Sequence, residues 1–154
     1  MDELEEATEA ALAASRALLG VVAKSLEPVL GRVTIPQFRV LALLHTLGPT
    51  RTGELAERLG VHASTFSRTG DRLVAAGLVR RVGNPASRRE VLVQLTPAGR
   101  RLVTSVWQRR AKEMRRILAP LSPEERRSIL DGLVTFAAAA GEPTVEDAVS
   151  LLGA

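Results

Sequence analysis

One stretch constrains this chain more than any other. Residues 53–99 read GELAERLGVHASTFSRTGDRLVAAGLVRRVGNPASRREVLVQLTPAG. Thr52 is positioned to cap a short helix carrying Leu55 and Leu59, and Gly60 to stop it. After a Gly-Val turn, a second helical pattern starts at His62 or Ser64 and runs to Gly77. Residues 78–82 and 91–95 are apolar and rich in β-branched side chains, with Gly83-Asn84-Pro85 between them. They predict a hairpin whose loop is longer than a tight turn. Helix, turn, helix and basic hairpin, in that order, is the sequence form of a winged helix-turn-helix. Such a unit sets one helix in the DNA major groove and a loop on the flanking backbone.

The charge distribution agrees. Residues 1–50 carry 4 basic and 6 acidic side chains, residues 51–116 carry 15 and 5, and residues 117–154 carry 2 and 6. The net charges are −2, +10 and −4, so the positive charge coincides with the motif, as a nucleic-acid footprint does.

Other function classes find little support. The chain has 154 residues and is 45% hydrophobic, enough for one compact domain or a small domain with helical extensions. With no cysteine, disulfides and thiolate chemistry are excluded. His45 and His62 stand apart with no ligand cluster around either, so no metal and no cofactor is expected. No nucleophile, Gly-rich phosphate loop or catalytic constellation appears, and the chain does not read as an enzyme. The MDELEEATEA start lacks the order of a signal peptide, and no apolar run approaches the roughly 18 residues of a membrane span. A cytoplasmic protein is expected.

Around the motif the chain reads as helical, giving a mainly α fold with a small β-hairpin wing. An Ala- and Leu-rich helix covers residues 3–25, with acids in its first turn to suit the dipole, and Glu27-Pro28 and Gly31 break it. Thr34 and Gln37 form a capping box for a helix carrying Phe38, Leu41, Leu44 and His45, which Gly48-Pro49 ends. Thr96 caps a long helix opening at Pro97, with Val103, Val106, Trp107, Met114, Ile117 and Leu121 near one stripe, and Pro120 marks its end. Ser122 and Glu125 form a second capping box for a helix to about Ala140, stopped by Gly141. Thr144 is placed to cap a last short helix at 145–152.

On a helical wheel Phe66, Gly70, Leu73 and Gly77 share the core face of the second helix of the motif. Ser64, Arg68, Asp71 and Ala75 face outward, flanked by Thr65 and Arg72. Hydroxyls and guanidiniums serve base edges or phosphates, and the N-terminal residues of such a helix reach the bases. The candidate DNA contacts on this helix are Ser64, Thr65, Ser67, Arg68 and Arg72. In the wing they are Arg81, Arg88 and Arg89, the last two at the hairpin tip, where a flexible loop would reach backbone or minor groove. Arg80 and Arg81 alternate faces, so one of them points away from DNA.

These residues resemble the MarR family of bacterial transcriptional regulators over about residues 34–102. The segments that carry the resemblance are QFRVL from Gln37, GELAERLG from Gly53, Ser64-Thr65, Asp71-Arg72-Leu73, Gly77-Leu78-Val79, Arg88-Arg89 and LTPAG from Leu95. The resemblance implies a homodimer whose N- and C-terminal helices (3–25, 122–140 and 144–152) intertwine. The run of alanines at 137–140 would allow close approach there. It also implies a division into an N-terminal dimerisation helix (1–33), a winged helix-turn-helix (34–100) and a linker helix with C-terminal dimerisation helices (101–154). Each subunit would present one recognition helix to a pseudo-palindromic operator in double-stranded DNA, as a repressor released by a small, often phenolic, ligand. Phe38, His45 and Trp107 are the pocket candidates, though each also reads as core. Two alternatives remain open: an architectural or weakly specific DNA-binding protein without ligand response, and a ligand- or protein-interaction module on a degenerate winged helix. The chain departs from the family in three places. Ser87 stands where the family carries an Asp that orients the wing arginine. Phe66, Thr69 and Gly70 stand where β-branched or Leu side chains are usual, which suggests that the Phe66 ring fills space left by Gly70. His62 stands where a Ser-type cap is common.

Overall fold

The structure, a computed structural model, describes residues 2–141; the expected helix at 145–152 lies outside them. The described residues form six α-helices and a small antiparallel sheet, in the order α1 (Glu3–Leu26), α2 (Ile35–Leu47), β1 (Thr50–Arg51), α3 (Thr52–Leu59), α4 (Ala63–Ala75), β2 (Val79–Asn84), β3 (Ser87–Leu95), α5 (Pro97–Leu118) and α6 (Pro123–Ala139). A 3-10 turn, Glu27–Val29, follows α1. None of these helices is long and apolar enough to cross a membrane.

Local chemistry sets the helix ends. α1 opens with an Asp2–Glu5 capping box, α2 with Thr34–Gln37 and α6 with Ser122–Glu125. In each, the cap oxygen accepts from the N3 amide and the N3 side chain accepts from the cap amide, satisfying two donors that the helix itself cannot. One expected cap differs: Arg51, not Thr52, is the cap residue of α3. His62 is the cap residue of α4 and makes no side-chain capping bond. Imidazole is a poorer cap than a short hydroxyl or carboxylate. Gly60 (φ +65°) and Gly77 (φ +71°) occupy the left-handed region that turns the chain out of α3 and past the end of α4. Gly77 therefore lies outside the helix and is exposed, not on the core face.

Two units are distinguished, Met1–Lys112 and Glu113–Ala154. The first is built on one core. Phe38, Leu41 and Leu44 of α2, Leu55 of α3, Phe66 and Leu73 of α4, Val79, Val93 and Leu95 of the sheet, and Leu102, Val103 and Val106 of α5 are all buried together. In the second unit α6 buries none of its residues, and Leu130, Leu133, Val134 and Phe136 are exposed.

The sheet has three strands in the order β1-β3-β2. The sequence predicts only the hairpin; β1 is two residues long and exists through its pairing of Thr50 with Val93 and Arg51 with Leu92. The hairpin is also tighter than expected. Asn84 pairs with Ser87, leaving Pro85 and Ala86 as the whole turn, and a register irregularity beside Gly83 takes up the extra residues. The Asn84 side chain closes this turn by accepting from the Ala86 amide at 3.0 Å.

At its base the wing is clamped to α5. The Thr96 amide donates to the Leu78 carbonyl at 3.0 Å. The Thr96 hydroxyl donates to the Gly77 carbonyl at 2.6 Å and accepts from the Gly99 amide at 3.1 Å. Gly99 is buried against the Leu78 carbonyl, and a Cβ there would overlap that oxygen and press on Leu95. The obstacle is backbone and cannot rotate away. Gly99→Ala is expected to lower stability by about 1–3 kcal/mol, measured by urea unfolding at fixed protein concentration, while the solvent-facing Gly53→Ala leaves it nearly unchanged.

Candidate nucleic-acid interface

The outward face of α4 is free. Ser64, Thr65, Ser67, Arg68 and Arg72 are all exposed, while Phe66, Gly70 and Leu73 are buried on the opposite side. Arg68 and Arg72 make no ion pair among the described residues, so their guanidiniums are available to an external acceptor. Arg88 and Arg89 are likewise exposed and unpaired. They stand on β3 just past the turn, within the irregularity between the Asn84–Ser87 and Gly83–Val91 pairs, where neither has a partner across the hairpin. Ser87 opens the same strand opposite Asn84.

Arg81 differs from the expectation. Its guanidinium crosses from β2 to α4 and donates to the Asp71 carboxylate at 2.6 Å, an exposed ion pair. Asp71, read from sequence as one of the outward polar residues, is therefore the partner that fixes Arg81. The crossing passes over Gly70, where a Cβ would stand 3.7 Å from the Phe66 ring and 3.9 Å from the Arg81 guanidinium. The ring does lie against the glycine, as the sequence suggests, but Arg81 shares the space.

Sequence reading also misses what braces the wing where the family's Asp is absent. Glu90 accepts from Asn84 Nδ2 at 2.7 Å and from Arg51 Nη1 at 3.2 Å. The Asn84 hydrogen bond, and then that from Arg51, hold its carboxyl below the usual carboxylate range. Arg51 reaches Glu90 from β1, whose pairing with β3 has no periodic signature.

The pocket candidates fall in or against the core. Phe38 is buried within it, and Trp107 packs against it with Arg110 stacked over its ring at 4.5 Å from the centroid. His45 is half-buried and its Nδ1 has no partner. Burial, with a smaller contribution from Arg100, pushes its pKa down.

Against this geometry, residues 33–91 match the family model described as MarR. A solved structure, RV1404 from Mycobacterium tuberculosis, is 41% identical over 94% of this chain and 99% of its own, with a TM-score of 0.81. The chain belongs to the MarR family. That family consists of transcriptional regulators, not enzymes. Among curated relatives of this MarR-family chain, the HTH-type transcriptional regulator YfiV of Bacillus subtilis is 33% identical over 66% of the chain and 63% of its own length. The multiple antibiotic resistance protein MarR of Salmonella typhimurium is 34% identical over 53% and 57%. The chain thus spans less than two thirds of the length of these two relatives.

Two outcomes follow. A Cβ at Gly70 meets only ordinary contacts, and Gly costs a helix interior about 1 kcal/mol relative to Ala. Gly70→Ala is expected to raise unfolding stability by about 0.5–1 kcal/mol while retaining the Arg81–Asp71 pair; loss of stability would show that the slot must stay empty. For His45, the folded-state pKa lies below the unfolded 6.5, so as pH falls the unfolded chain takes up the proton first. Its contribution is intact above about 6.5 and declines below it. In urea unfolding, wild type should lose stability across that window more steeply than His45→Gln.

Proposed function

We propose that this chain is a dimeric, sequence-specific DNA-binding transcriptional regulator that acts as a repressor and is released by a small aromatic effector. The observation that carries the DNA reading is the pairing of two uncommitted basic surfaces. One is the α4 face of Ser64, Thr65, Ser67, Arg68 and Arg72; the other is the wing strand with Arg88 and Arg89. In this reading the α4 side chains meet base edges and adjacent phosphates, and the wing arginines meet backbone or minor groove. Arg81, held by Asp71, orients the wing against α4 more than it touches DNA.

Two copies would place two recognition helices on the half-sites of a pseudo-palindromic operator about one helical turn, roughly 34 Å, apart. The surfaces available for dimerisation are apolar and uncovered in the single chain: Leu4, Leu12 and Leu19 on α1, and Leu130, Leu133, Val134 and Phe136 on α6. Patches of this kind mark partner contacts. They support a dimerisation helix in residues 1–33 and dimerisation helices following the linker helix in residues 101–154. An effector that binds better to a dimer with unsuitable half-site spacing would release the operator. A chromosomal target implies a cytoplasmic protein.

The test is a mobility-shift series on the promoter DNA beside the gene, over a range of salt. Arg68→Ala should relax discrimination among operator variants, worth about 1–3 kcal/mol at one position, whereas Arg88→Ala should weaken all sequences alike and flatten the salt slope by about one. Binding that is indifferent to sequence would favour an architectural role, and equal losses on every sequence from both substitutions would remove the division of labour.

A further inference from the structure

The wing carries its two unpaired arginines where the sheet does not hold them. Ser87 pairs with Asn84 and Val91 with Gly83, so residues 88–90 have no place in the ladder. A backbone segment without cross-strand partners shifts more easily than one in a ladder, unless side chains tie it down. Here one side chain does. The Glu90 carboxylate accepts from Asn84 Nδ2 of β2 at 2.7 Å through one oxygen and from Arg51 Nη1 of β1 at 3.2 Å through the other. Arg51 lies opposite Leu92, so Glu90 is its diagonal neighbour, two residues along β3. Asn84 in turn accepts from the Ala86 amide, so the contacts that hold the irregularity also hold the turn. All three strands meet on one carboxylate, next in the chain to Arg88 and Arg89.

Charge alone would place no acid here. A carboxylate beside arginines that face phosphates weakens the positive potential they offer. Pairing with Arg51 offsets the acid, but it also withdraws a cation from the duplex. Two elements of attraction are forgone, and what is gained in return is geometry. Glu57 provides the contrast. It lines the same groove between the start of α3 and the wing, together with Arg89 and Glu90. Its side chain is exposed and makes no ion pair or hydrogen bond among the described residues.

We propose that Glu90 is a positioning residue for DNA binding: by tying β1 and β2 to the irregular stretch of β3, it holds Arg88 and Arg89 against the duplex backbone, and this placement outweighs its own negative charge. This role rests on the reading in which the wing arginines meet DNA.

The experiment measures affinity of the full chain for the promoter DNA beside the gene, and for a scrambled duplex of equal length, over a range of salt. Glu90→Ala should weaken both duplexes by about fivefold or more, and it should flatten the salt slope as loss of a phosphate contact does. Removal of a negative charge would by itself do the opposite. Glu57→Ala, which takes the same charge from the same groove, should leave binding unchanged or tighten it. Glu90→Gln, whose carboxamide oxygen can still accept from Asn84, should lie nearer to wild type than Glu90→Ala. Once Arg88 and Arg89 are both replaced by Ala, adding Glu90→Ala should change affinity by less than about twofold. Because exposed ion pairs add little stability, Glu90→Ala should unfold within a few degrees of wild type. Equal or tighter binding by Glu90→Ala would overturn the proposal, as would binding by Glu90→Gln no better than by Glu90→Ala. So would a loss that persists without Arg88 and Arg89. If the double substitution of those arginines leaves DNA binding intact, the wing-contact reading fails and the role of Glu90 with it. If the arginines matter and Glu90 does not, the positioning role alone fails.

Discussion

The Leu78 carbonyl is the point on which the rest of this structure hangs. It receives the Thr96 amide, and Gly99 is pressed so close beneath it that no side chain fits between. The Thr96 hydroxyl completes the joint by bridging the Gly77 carbonyl and the Gly99 amide. On one side of the joint, Gly77 turns the chain out of α4, and the Leu78 amide closes back onto the Leu73 carbonyl at 3.0 Å. On the other side α5 begins. The recognition helix, the wing and the long helix are therefore fixed to one another through a few atoms of backbone, and the core of Leu73, Val79, Leu95 and Leu102 packs around them.

Much of this was legible in the sequence. The capping boxes of α2 and α6 and the Thr96 cap of α5 rest on local spacing, and Thr34–Gln37, Ser122–Glu125 and Thr96-Pro97 announce themselves. The buried side of α4 follows from helical periodicity, because Phe66, Gly70 and Leu73 repeat at the right interval. What stayed hidden depends on partners distant in the chain. A two-residue strand has no period to detect, and β1 is a strand only because β3 lies beside it. The compact turn at Pro85-Ala86 depends on an irregular register, not on composition. For the candidate site, exposure of the α4 residues could be read, but the commitment of Arg81 to Asp71, ten residues earlier, could not.

The arginines of the first unit divide by what they already hold. Arg51, Arg58 and Arg81 are paired with Glu90, Glu54 and Asp71, all across exposed contacts. Such pairs contribute at most about 1 kcal/mol each, so their value is directional: Arg51–Glu90 braces the wing and Arg81–Asp71 sets its attitude to α4, while Arg58–Glu54 lies within α3. Arg68, Arg72, Arg88 and Arg89 hold nothing within the described chain, which leaves them to an external phosphate or base. The same density of positive charge thus contains both scaffold and contact surface.

The strand order has a further consequence for how the molecule behaves in a crowded solution. β3 is interior, so β2 is an open edge of six residues with unpaired backbone groups on its outer side. Such an edge invites a stray strand from a neighbouring chain to add to it. Here Arg80 and Arg81 stand on consecutive positions of that edge, the irregularity beside Gly83 twists it, and Pro85 follows at once. The other edge, β1, is too short to template anything. The wing can project into solvent without becoming a seed for aggregation.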